Sequence, residues 1–406
     1  MPDEHGTAAL VRGQAGIGPL LRSKLELPPP PPGLLPRPRL FALLDAGVQG
    51  PVTVVEAPAG WGKTVLLSSW VRERHPARAA WLSVEPGDTQ PAGGRLWRYL
   101  CAALGAPVNG GGDAFLTRLA AALAGRSEPV VLVLDDFHHV ADDTVPRGLE
   151  FLLRHAPGAL RLVLASRTEP PLALHRWRVR GEVAELRAGQ LSFTDTETEQ
   201  VLARAGLALP PGQLAELQAR TEGWPAGVRL AARALHDQPD PVRLATDLTG
   251  DTPPVADYLV AEVLADQPGE VRDLLLCTSI LRRVSADSIE ALTGRTDGER
   301  VLAGLRHADG YVVPLDARRH SYRHHRMFGE MLRAELHRQA PERVPELHRR
   351  AAHWYAAHDL PRDALRHALL ARDWGQATAV LADGWADVLA HGGAGGSQPE
   401  PGSGGG

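Results

Sequence analysis

The chain has 406 residues, 44% hydrophobic and 23% charged, the balance of a globular protein with room for two to four domains. A formal net charge of -4 excludes a basic nucleic-acid coat, and two cysteines, Cys101 and Cys277, exclude a disulfide scaffold or a Cys-rich zinc site. No apolar run reaches the roughly 18 residues needed to cross a bilayer. The opening MPDEHGTAAL lacks the basic and apolar regions of a signal peptide. The expectation is therefore a cytoplasmic protein with no membrane partner. Of the 44 basic residues two are lysine, Lys24 and Lys63, and the other 42 are arginine. A coding bias accounts for the arginines and leaves the lysines to be explained.

Residues 1–35 are Gly- and Pro-rich and include five consecutive prolines at 28–32. That run predicts a stiff polyproline II spacer in a flexible N-terminus, with no role for Lys24. Over 52–186 short apolar runs alternate with helical stretches. PVTVVEAP, AAWLSV, PVVLVLDD and LRLVLASR read as buried parallel strands, with VAELRA as a candidate fifth. The fold class expected over 36–190 is an α/β domain built on a parallel sheet. From 192 onward the pattern is helical. Thr194 with Glu197 forms a capping box, and a helical domain is expected over 191–250. A winged-helix order of helices and then a hairpin, YVVPL and HSYRH, occupies 251–338. Short helices with small residues at the contacts predict the start of a TPR-like helical solenoid over 339–391. The Gly-rich 392–406 reads as a disordered tail.

The strongest chemical signal is the run Ala57, Pro58, Ala59, Gly60, Trp61, Gly62, Lys63, Thr64, Val65 between an apolar strand and an apolar helix. This is a P-loop arrangement. Small residues let backbone N–H groups converge on phosphate oxygens. Lys63 supplies a compact cation for the β and γ phosphates, and the Thr64 hydroxyl is a candidate Mg²⁺ ligand. The helix that follows points its positive end at the same anion. With lysine so rare, Gly-Lys-Thr in this context is not accidental. The strand ending in Asp135 and Asp136 reads as a Walker B segment. Asp135 would hold Mg²⁺ directly or through water, and Asp136 would orient or deprotonate an attacking water. The strand ending in Ser166 and Arg167 sits where such ATPases place a sensor, so Arg167 is the candidate γ-phosphate sensor.

Together these segments resemble the signal-transduction ATPases with numerous domains, in particular the maltose-activator-like group of large ATP-binding LuxR-type regulators. The resemblance rests on Ser23-Lys24-Leu25 with Pro36-Arg37-Pro38-Arg39-Leu40, on APAGWGKT, AWLS, WRYL, LVLDDFHHV and LVLASRTEPPL, on Glu222-Gly223-Trp224-Pro225-Ala226-Gly227, and on YRHHRMF. It covers about residues 23–390. It implies that Pro225 touches the adenine and that His325 approaches the phosphates of ADP. The chain departs from the family at His324, in place of an aromatic, and at Arg326, in place of a histidine. Arg37 and Arg39 are candidates for the adenine end. The resemblance further implies an ATP/ADP switch with slow hydrolysis, self-association in the ATP state, and an unknown small-molecule or protein inducer. DNA would be a partner only through a helix-turn-helix supplied elsewhere, since none of the LuxR type is read in the sequence. Two alternatives are a stand-alone P-loop ATPase and direct DNA binding by the winged helix, with Arg282, Arg283, Arg318 and Arg319 on its wing.

Overall fold

The computed structural model describes residues 20–75, 79–88, 94–106, 113–236, 238–265, 267–302, 311–316 and 320–390. The chain divides into two compact units. The first is Met1–Tyr258 with Leu305–Tyr311, and the second is Leu259–Gly304 with Val312–Gly406. No described helix is long and apolar enough to cross a membrane.

In the first unit, β1 (Val52–Glu56), β2 (Ala79–Ser83), β3 (Val130–Asp135), β4 (Leu160–Ser166) and β5 (Val183–Arg187) form one parallel sheet in the order β2-β3-β4-β1-β5. The apolar runs do not alternate with polar residues because helices cover the sheet. Val52, Val54, Leu132, Leu134, Leu162 and Leu164 share a core with residues from helices Gly94–Leu104 and Thr144–His155. The intervening Thr53, Val133 and Val163 are buried as well. VAELRA is confirmed as the fifth strand, paired with β1 from Val52↔Val183 to Glu56↔Arg187. β1 therefore lies between β4 and β5, and the loop leaving it is held at a fixed point of the sheet.

The N-terminal expectation is corrected where the chain is described. Residues 20–35 pack onto the first unit. Lys24 is 3% exposed, and its ammonium sits 2.8 Å from both Asp88 carboxylate oxygens and 2.8 Å from Glu85 Oε2. Its ammonium also lies 5.2 Å from the Tyr99 ring centroid. Burial alone would lower its pKa, but Asp88 and Glu85 outweigh burial and raise it. The proline run is held by its carbonyls. Arg72 donates to Leu27 O and Pro28 O, Arg229 to Pro32 O at 2.8 Å, and Arg204 to Leu34 O at 2.6 Å. A polyproline segment makes no internal hydrogen bonds, so its acceptors are open to the arginine forks of the folded unit. Residues 1–19 and 391–406 lie outside the described residues.

The capping box forms as expected, with Glu197 N donating to Thr194 Oγ1 at 3.2 Å and Thr194 N to Glu197 Oε2 at 3.0 Å. Glu197 also accepts from Arg37 and Arg39, which donate in addition to the carbonyls of Gln190, Leu191 and Ser192.

In the second unit, β6 (Val284–Ser285), β7 (Val312–Pro314) and β8 (Ser321–His324) form an antiparallel sheet in the order β6-β8-β7. The expected hairpin is β7–β8. Its turn is closed by the Asp316 carboxylate, which accepts from the Ser321 N–H at 2.8 Å and the His320 N–H at 3.1 Å. Arg318 and Arg319 lie outside the described residues, and Arg282 sits 3.9 Å from Asp363. Helices Val344–Ala357, Pro361–Leu370 and Trp374–Ala390 follow, packed through Ala352, Ala368 and Ala377. Between the first two, His348 Nδ1 lies 2.7 Å from His367 Nδ1, and the Tyr355 ring stacks on His367.

Two outcomes follow. Lys24→Ala takes from buried Asp88 its closest cation and leaves, among the described residues, only Arg95, at 3.9 Å from Oδ1, and removing one partner of a buried pair costs about 3–5 kcal/mol. Chemical denaturation of the full chain should show a loss of that size, while Arg22→Ala, an exposed neighbour, should be near neutral. The second concerns pH. Burial first, then the Arg366 charge, holds His348 at about 4 and His367 at about 3. Both lie below the unfolded value, so the unfolded chain takes up these protons first. The contribution to stability is present above about pH 6.5 and is lost as pH falls toward 4, by up to about 1.4 kcal/mol per pH unit for each ring. The double variant His348→Asn/His367→Leu should flatten that decline; an unchanged slope would exclude the pair as its source.

Candidate nucleotide site

The loop between β1 and helix Lys63–Arg74 carries the predicted run. Gly60 (φ +76°) and Gly62 (φ +75°) both adopt the left-handed region that glycine tolerates. At Gly60 a Cβ would also meet Trp224 Nε1 at 2.7 Å, Ala226 Cβ at 2.8 Å and Tyr258 Oη at 2.9 Å, whereas at Gly62 there is open space. Ala57, Ala59 and Trp61 are buried, so the loop is packed from behind. Trp61 donates through Nε1 to Ala188 O at 3.1 Å and contacts the rings of Trp224 and Tyr311. Lys63 is 6% exposed, with its ammonium 2.7 Å from Ala57 O and 3.0 Å from Pro58 O.

The sheet order brings the Walker-type residues to this loop. Thr64 Oγ1 donates to Asp135 Oδ1 at 3.1 Å. Asp135 is 2% exposed. Burial and the adjacent Asp136 carboxylate raise its pKa to about 7, against the opposing Thr64 hydrogen bond and the Lys63 charge. A hydroxyl and a carboxylate side by side form an all-oxygen donor set, which suits a hard cation such as Mg²⁺ held with substrate phosphates. Among the described residues no group of three or more His, Cys, Asp or Glu forms a metal cage. Asp136 follows with φ 54° and immediately precedes the short turn Phe137–His139, with no capping hydrogen bond from its carboxylate. Arg167 follows the buried Ser166 at the end of β4.

His138 was not singled out in the sequence. Its two ring nitrogens are buried in a side chain that is otherwise partly exposed, neither has a hydrogen-bond partner among the described residues, and Nδ1 lies 3.8 Å from Asp136 Oδ1. Burial, with the charges of His139, Arg167 and Lys63, lowers its pKa to about 3, so the ring is neutral. The signal in the sequence was the pair His138-His139, one residue beyond the paired carboxylates.

Beside the loop a mostly apolar cavity of about 360 Å³ is lined by Leu34, Phe41, Trp61, Val65, Phe193 and Pro225, among others, within the size range of small-molecule sites. Pro225 and the loop thus share one site. Arg37 also lines the cavity, but its guanidinium is committed to Glu197 and two carbonyls. Arg39 is held by Glu197 in the same way and does not line it. His325 belongs to the second unit, where it precedes helix Arg326–Gln339 and is 2% exposed. Its neighbour His324 pairs through Nε2 with Thr278 Oγ1 at 3.2 Å, so it serves the second unit's own packing.

An AAA domain family matches residues 48–169, and the MalT winged helix domain matches residues 260–344. The chain carries the modules of a MalT-like P-loop ATPase. It is 31% identical to the HTH-type transcriptional regulator MalT of Yersinia enterocolitica over 381 residues, 89% of this chain and 42% of that protein. It is also 31% identical to the serine/threonine-protein kinase PknK of Mycobacterium tuberculosis over 360 residues, 85% of this chain and 32% of that one. The MalT-like chain thus spans less than half the length of these relatives. Among solved structures, a Walker-type ATPase of Pyrococcus abyssi shares the fold, with a TM-score of 0.52 at 14% identity, covering 74% of this chain and 96% of that one.

The contrast at the two glycines is testable. Gly62→Ala forces a left-handed alanine and should cost about 1–2 kcal/mol. Gly60→Ala adds overlap with Trp224, Ala226 and Tyr258 and should cost about 3 kcal/mol or more. Equal losses in denaturant midpoint would show that the packing behind Gly60 is not rigid.

Proposed function

We propose that the MalT-like chain is the ATP/ADP-dependent switch of a transcriptional regulator, in which ATP binding and slow hydrolysis control self-association. The observation that carries this is the convergence of the P-loop, the Thr64–Asp135 pair and an adjoining apolar cavity in one unit. The base would enter the cavity against Pro225 and Trp61, and the phosphates would meet the N–H groups of Gly60, Trp61, Gly62 and Lys63. The Lys63 ammonium would exchange two carbonyls for phosphate oxygens, a charge-assisted pairing. Thr64 and Asp135 would hold Mg²⁺, which when bound neutralises charge on the phosphates. Asp136 would orient or deprotonate the attacking water, with neutral His138 beside it, and Arg167 would meet the charge that develops on the γ phosphate. His325 enters this proposal through the family resemblance alone.

Two states related by nucleotide require that ligands bind them with different affinity. The inducer and the DNA-reading element are those of the longer relatives' class, and here they are expectations. In the test, Lys63→Ala should abolish retention of ATP or ADP through purification, and unchanged nucleotide content would refute the site. Asp136→Asn should slow hydrolysis by at least tenfold with binding preserved. Sustained turnover of several per second by the unmodified chain without inducer would favour an ordinary hydrolase over a switch.

A further inference from the structure

The P-loop acts through its N–H groups, so the orientation of each peptide plane decides whether it binds phosphate. In a trans peptide the carbonyl of one residue and the N–H of the next point in opposite directions. Holding a carbonyl on the outer side of the loop therefore aims the next N–H inward. The carbonyls of Ala57 and Pro58 face Lys63. The Gly60 carbonyl accepts from Ala226 N at 3.0 Å, which orients the Trp61 N–H. The Ala59 carbonyl accepts from Tyr311 Oη at 2.8 Å, which orients the Gly60 N–H.

The Ala59–Gly60 peptide is the one most in need of such a hold. Gly60 has no Cβ and sits at φ +76°, and glycine populates both signs of φ with little preference. A flip of this peptide would turn a phosphate donor into a carbonyl facing the anion. Tyr311 is 1% exposed and belongs to the first unit. Its ring stands edge-on to Trp61 at 5.4 Å and to Trp224 at 6.0 Å, so the hydroxyl has a fixed origin.

We propose that Tyr311 is a positioning residue of the nucleotide site, whose hydroxyl locks the Ala59–Gly60 peptide with the Gly60 N–H toward the phosphates. The inference rests on the nucleotide reading above and deepens it. It separates the two halves of the ligand: the lock acts on phosphate and leaves the apolar cavity for the base untouched.

The experiment is Tyr311→Phe in the full chain, which keeps the ring and its packing and removes only the hydroxyl. Affinity is measured for ADP by calorimetry and for adenosine, the phosphate-free probe, by displacement of a fluorescent ADP analogue. Circular dichroism confirms that the variant folds. The expected result is ADP binding weakened about five- to twentyfold, with adenosine changed less than twofold. ADP affinity unchanged, or ADP and adenosine weakened by the same factor, overturns the lock. An unmodified chain that binds neither probe overturns the nucleotide reading as well, and the proposal falls with it.

Discussion

A phosphate cradle made of backbone needs its carbonyls turned away from the anion, and at Ala59 and Gly60 that constraint is met from outside the loop. Four consecutive carbonyls, Ala57 to Gly60, each accept from a group on another element or further along the chain. The donors are Lys63, Tyr311 and the first turn of helix Pro225–His236. Behind them Trp61, Trp224, Tyr258 and Tyr311 pack as an aromatic group around Gly60. The loop is therefore not a flexible glycine segment awaiting a ligand. Its donor geometry at Ala59 and Gly60 depends on residues more than 160 positions away in sequence.

The two lysines and the many arginines divide the polar work by shape. Lys24 and Lys63 are both buried, each facing two or more oxygens at about 3 Å or less from a single ammonium. A compact point charge fits such clusters, whereas the wide guanidinium plane would not. The arginines act at edges, where a fork can span two acceptors. Arg37 and Arg39 each bridge Glu197 to carbonyls, and Arg72 reaches two carbonyls of the N-terminal segment. The same preference explains why a proline-rich segment is held in place: its unpaired carbonyls are the acceptors an arginine-rich surface can use.

Burial also sets the charge states around the site. Asp135 lies at the end of a wholly buried strand, and desolvation raises its pKa to about 7. A cation beside it would offset the cost of burying the carboxylate. His138, two residues past Asp136, is driven neutral by burial and by the nearby Arg167 and Lys63 charges. A neutral ring among these charged groups can accept or donate a hydrogen bond without adding another charge.

Local sequence determined the strands, the P-loop and the paired carboxylates. A buried strand, a glycine turn and a helix start are specified by neighbouring residues, through backbone conformation and hydrophobic periodicity. VAELRA, the Thr194 capping box and the β7–β8 turn were legible for the same reason. Lys24 was not, because its partners Asp88 and Glu85 lie more than sixty residues away and nothing near Lys24 marks it for burial. Arg37 and Arg39 read as ligands of a base, yet Glu197 holds them, a pairing set by helix packing. His138 was hidden in plain view, since a histidine after two aspartates has no periodic signature. Tyr311 read as the first residue of the hairpin segment YVVPL. Only the tertiary structure brings its hydroxyl to the Ala59 carbonyl, because peptide orientation in a glycine loop is decided by whatever packs against it.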